Sequence, residues 1–183
     1  MSEPRSLYIK LRISKENLES FFRDAPAKAP VDEQWEAWWN SREMYSRSKL
    51  IEIPAYSDDT NLEALRRWQD DGIETLSTEL NEDGEWTYTI MMFSQNYFDI
   101  LPMLNLLKSM ERHLAPDDTG DAIIYDYIWG GGDVMAHIRY EGQQAALQLT
   151  RHQQELDASV RNKMKATMDA VFDKLNEQYG DVD

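Results

Sequence analysis

A chain of 183 residues, 42% hydrophobic and 11% aromatic, has the length and apolar content of one cored domain, residues 1–183, rather than a disordered tail. It has no cysteine, which excludes disulfides and thiolate chemistry, and no apolar run near the roughly 20 residues of a membrane span. Its net charge of -15 argues against direct nucleic-acid binding, because neutralising phosphate needs a cationic footprint.

Ser6 to Ile13 alternates Leu7, Ile9, Leu11 and Ile13 against Tyr8, Lys10 and Arg12, the period of a half-buried strand. Ser14 is placed to cap a short helix carrying Leu18, Phe21 and Phe22, stopped by Pro26. A second short helix, capped by Asp32, brings Trp35, Trp38 and Trp39 to one face. Three tryptophans together form a core plug or an exposed binding anchor. Lys49 to Ile53 reads as a brief strand ended by Pro54. The turn Asp58-Asp59-Thr60-Asn61 then opens a helix through Leu62, Leu65 and Trp68 to Gly72.

Ile73 to Leu80 and Glu85 to Phe93 predict a hairpin around Asn81-Glu82-Asp83-Gly84, with Trp86, Tyr88, Ile90 and Met92 on one face. Tyr97 to Leu114 has helical apolar spacing, and Pro102 is tolerated there if it falls in the first turn. Three strands follow as a meander: Ala122 to Trp129, Val134 to Tyr140 and Ala145 to Thr150. Their turns are Gly130-Gly131-Gly132-Asp133 and Glu141-Gly142-Gln143. From about Leu156 to Tyr179, Val160, Met164, Met168, Val171, Phe172 and Leu175 mark an amphipathic helix whose methionines read as core. Strands interrupted by helices, with tight hairpins, predict an α+β fold with a mainly antiparallel sheet and a long C-terminal helix.

Catalytic patterns are sparse. His113, His137 and His152 lack metal-pair spacing, and His137 reads as part of a solvated sheet face with Arg139. The triple glycine lacks the Lys-Ser/Thr of a phosphate loop, and no nucleophile elbow occurs. Adjacent carboxylates such as Asp117 and Asp118 arise by chance among 34 acidic residues. We therefore expect no enzyme, no cofactor and no metal. The start, Met1-Ser2-Glu3-Pro4-Arg5, lacks the apolar stretch of a secretory leader, which predicts residence in the cytoplasm.

The negative charge is uneven. Residues 51–100 carry two Lys or Arg against twelve Asp or Glu, so ten of the fifteen excess charges fall there. Such a segment is a solvated face or a docking surface for a basic partner. The candidates in it are Asp58, Asp59, Asp70, Asp71, Glu74, Glu79, Glu82, Asp83 and Glu85, with Trp68 and Trp86 as aromatic anchors. Asp121, Asp126 and Asp133 form a second group around the meander.

The strand Leu7-Tyr8-Ile9-Lys10-Leu11-Arg12-Ile13, the helix after it and the segment Trp35 to Trp39 resemble the opening of bacterial polymorphic-toxin immunity proteins. The family is the one catalogued as immunity protein fifty-two, similar in length and α+β content. The likeness is best over the first forty or so residues. It implies a non-enzymatic inhibitor of a secreted antibacterial toxin, in some cases a nuclease of restriction-endonuclease type. The expected partner is then a cognate basic toxin domain, bound without nucleic acid or membrane. The alternative is an acidic nucleic-acid mimic or adaptor for another basic protein.

Overall fold

In the computed structural model, which describes residues 3–69 and 75–180, the strands are Ser6–Arg12 (β1), Thr75–Leu76 (β2), Glu85–Ile90 (β3), Gly120–Tyr125 (β4), Val134–Glu141 (β5) and Gln144–Leu147 (β6). The α-helices are Lys15–Arg23 (α1), Glu33–Ser41 (α2), Asn61–Arg66 (α3), Tyr97–Lys108 (α4) and Ala158–Tyr179 (α5). All strand pairs are antiparallel, in the order β2-β3-β1-β4-β5-β6. The fold is α+β, and β1 lies in the middle of the sheet.

Strand alternation gives the sheet two faces, and both are covered. Leu7, Ile9 and Leu11 point with Trp86, Tyr88, Ile138 and Tyr140 into a core closed by α1, α2, α3 and α4. Tyr8, Ile123, Tyr125 and Val134 point the other way, against Met164, Met168 and Val171 of α5. The result is three layers: four helices, one sheet, one long helix. Double coverage explains why β1 and β4 are buried along nearly their whole lengths.

The helix starts follow their caps. Ser14 Oγ accepts from the amide of Asn17 at 3.1 Å, Asp32 Oδ1 from Trp35 at 2.9 Å, Thr60 Oγ1 from Glu63 at 3.2 Å and Asn96 Oδ1 from Phe98 at 3.0 Å. The tryptophans of α2 are core: Trp35, Trp38 and Trp39 are buried. Trp38 Nε1 donates to the carbonyl of Met135 at 3.2 Å, and Trp39 Nε1 to that of Ser48 at 2.8 Å.

Several expected boundaries move. Lys49 to Ile53 is no strand; only Ile53 bridges Ala29, and Ile51 faces out. The first meander strand stops at Tyr125, where Asp126 pulls the chain into a loop through the amides of Trp129 and Gly131. The third is Gln144–Leu147, after which the chain continues irregularly beside β5. The hairpin strand of β3 ends at Ile90, and the chain turns so that Met92 is exposed. Ser109–His113 tightens into a 3-10 turn, and Pro102 sits in the second turn of α4, not the first. Gly72, the expected end of the third helix, lies outside the described residues, as does Ile73. The turn into β6 uses Gly142 at φ 58° and Gln143 at φ 63°, a pair of left-handed positions suited to two-residue hairpins. Among the described residues no helix is long and apolar enough to cross a membrane.

Candidate functional site

A cavity of about 1020 Å³ forms an open groove between the 42–54 loop, the first turn of α4 and the start of β5. Arg42 anchors its floor. The side chain is buried, and Nη1 donates to the carbonyls of Val134, Met135 and Thr150 at 2.9, 3.1 and 2.9 Å. Nη2 donates to Leu149 O at 3.1 Å and to Ser41 Oγ at 2.9 Å. Among the described residues no carboxylate lies within ion-pair distance of this guanidinium, and burial lowers its pKa from the usual value, with Glu155 opposing the shift from farther off. The fork thus sews the end of α2 to β5 and to the segment after β6.

Around this floor stand Tyr45, fully exposed, with Phe98 84% and Ile51 80% exposed. Phe98 faces out because its neighbour Tyr97 turns in, stacking edge-on against Trp38 and Trp39 at 6.1 and 5.2 Å. Lys49 lines the groove beside them, exposed. Glu43 is paired with Arg151, and Asp133 with His152 at 3.4 Å.

The acidic candidates are scattered by the fold. Asp58 is tied to Arg67 at 2.6 Å, whereas Asp59 is exposed. Glu79, Glu82 and Asp83 are exposed together on the turn between β2 and β3. Glu85 bonds Lys163 of α5 at 2.5 Å. Although burial opposes it, that lysine and Lys10 hold its carboxyl below the usual range. Asp70, Asp71 and Glu74 lie outside the described residues.

Two expected contact residues belong to the interior instead. Trp86 is 0% exposed, packed among Phe21, Phe22 and Tyr88, with Nε1 donating to Ser77 O at 2.6 Å. An indole of this size is the natural filling where α1 crosses β3. Asp126 is 4% exposed and accepts from the amides of Trp129 at 3.0 Å and Gly131 at 2.7 Å, with Arg5 at 3.9 Å. Trp68 is half-buried, its ring 4.6 Å from Phe93 and its Nε1 donating to Tyr56 Oη at 3.1 Å.

His137 also departs from expectation: at 5% exposed it belongs to no solvated face. Its Nε2 lies 2.7 Å from Asp121 Oδ1 and its Nδ1 3.0 Å from Thr150 Oγ1. Carboxylate, imidazole and hydroxyl stand in the order of a nucleophilic relay. Thr150, however, lines neither the groove nor the second cleft of about 320 Å³ beneath α5. The three groups tie β4, β5 and the chain after β6 together.

Sequence reasoning missed Tyr45, Ile51, Phe98, Arg42 and Lys49. A signal was present: Arg42, Arg47 and Lys49 make a basic stretch in an otherwise acidic chain. No family model matches the chain, and no curated protein or solved structure matches it.

Proposed function

We propose that this chain is a non-catalytic inhibitor of the immunity-protein kind, which binds a basic toxin domain in the cytoplasm and covers its active site. The observation that carries this is the acidic tip between β2 and β3, where Glu79, Glu82 and Asp83 are exposed and, among the described residues, no cation lies within ion-pair distance. Carboxylates left unpaired on a fold that pairs Asp58 and Glu85 are available to a partner's lysines and arginines. A nuclease must show such cations to phosphate. Complementary charge then speeds encounter, to roughly 10⁸ M⁻¹s⁻¹ or more at low salt.

The experiment is surface-binding kinetics against the toxin-like domain encoded beside this chain, with Glu79, Glu82 and Asp83 all changed to Lys. Association slows at least tenfold at low salt, and the difference shrinks as salt screens the charges. An unchanged on-rate removes this tip as the docking site. Capture of a transcription or restriction protein in place of a toxin assigns the chain to the adaptor class.

A further inference from the structure

We propose that the groove walled by the 42–54 loop and α4 receives an extended segment of another protein in which carboxylates alternate with large apolar side chains. Three independent features converge on that chemistry. At about 1020 Å³ the groove admits several side chains at once. Tyr45, Ile51 and Phe98 are almost wholly exposed around one opening, whereas the neighbouring aromatics Trp38, Trp39 and Tyr97 are packed inward. Large exposed apolar groups gathered at a concave site are interface material.

Charge selects the partner. The guanidinium of Arg42 is hydrogen-bonded by carbonyl and hydroxyl oxygens, and among the described residues no carboxylate is ion-paired with it, Glu155 acting on it only from beyond that distance. Lys49 stands exposed at the same groove and has no ion-pair partner among the described residues. Of the three acids that line it, Glu43 is ion-paired with Arg151 and Glu52 with Lys28 at 3.9 Å, while Asp133 lies 3.4 Å from His152; Arg5, Arg42, Lys49 and Arg151 line the groove against these three. A chain of net charge -15 therefore presents a locally positive groove, which repels the basic surface that its β2–β3 tip attracts. The groove and the tip serve two different contacts, and the groove stands whatever partner the tip engages.

The test is selection of random twelve-residue peptides displayed on phage against the full chain. The enriched peptides carry Asp or Glu interleaved with Leu, Phe or Trp, and their synthetic forms bind more weakly as salt rises. Lys49→Glu, and separately the pair Ile51→Ser with Phe98→Ala, each weaken binding at least tenfold. Circular dichroism and the melting temperature stay at wild-type values, because all three side chains are exposed. The triple Lys substitution at Glu79, Glu82 and Asp83 leaves peptide affinity unchanged, which separates this site from the tip. Enrichment of Lys- or Arg-rich peptides, no enrichment at all, or full affinity in both groove variants overturns the proposal. So does a dimer in sedimentation that Lys49→Glu abolishes, since that result gives the groove to a second copy of this chain.

Discussion

At the scale of single residues, the strongest local commitments are two buried charged side chains, each of which holds a stretch of loop backbone. Asp126 holds the amides of Trp129 and Gly131, and Arg42 holds carbonyls of β5 and the following segment. Asp126→Ala orphans both amides and removes the buried carboxylate 3.9 Å from Arg5, for a loss of about 2–4 kcal/mol in urea unfolding. Asp126→Asn keeps an acceptor oxygen and loses less; equal losses contradict the account. A methyl group at Gly131 meets Asp126 Oδ2 at 2.5 Å, so Gly131→Ala strikes the same contact from the other side. Arg42→Lys keeps the charge but cannot span four carbonyls, and it lowers stability by about 2 kcal/mol. A midpoint shift within error of wild type defeats that assignment.

Among elements, α5 is the most instructive, because its stripe was legible and its depth was not. Met164, Met168 and Val171 are buried against the sheet, whereas Phe172 and Tyr179 on the same expected stripe are exposed. The helix outruns the sheet that it covers, so spacing alone overstates its buried length. Met168→Ala costs about 2–4 kcal/mol, while Phe172→Ala costs under about 1 kcal/mol. Thermal melts of the two variants check this, and similar losses overturn the picture of a helix gripped at its middle.

The same contrast runs through the chain. β1, the caps of α1 and α2, and the turn at Gly142 were legible because alternation and capping are local. Lys49 to Ile53 was misread since Leu50 and Ile53 are buried around an exposed Ile51, a pattern that mimics a strand although its pairing is one isolated bridge, Ile53 to Ala29. For the candidate site, the acids at Glu79, Glu82 and Asp83 were found by composition. Trp86 and Asp126 were assigned to contact only because sequence does not report depth. Asp121 reads as surface until register sets it opposite Arg139, beside His137.

For the whole molecule, buried phenols set the behaviour at high pH. Tyr8, Tyr125 and Tyr140 are all but inaccessible. Burial raises their phenols above the ordinary value, helped by Asp121 near Tyr8 and Tyr140. Below about pH 10 both folded and unfolded chains keep these protons, and the full stability is present. Above that, the unfolded chain ionises while the native one resists, so stability falls by about 1.4 kcal/mol per pH unit for each such phenol. Phenolate absorbance and unfolding should therefore rise together in an alkaline titration. Ionisation of these three with tertiary structure intact contradicts it.

The central place of β1 has a kinetic consequence. Leu7 pairs with Ile90 on one side and with Ile124 on the other, so the earliest of the six strands in chain order waits longest to gain both neighbours. Until β3 is made, Leu7, Ile9 and Leu11 have no strand to pair with, and the other edge of β1 stays open until β4 follows. Long-range pairing of this kind slows folding, because distant loops must close before any contact rewards them. Nascent chains halted short of β4 should thus engage general chaperones, and full-length chains should let them go.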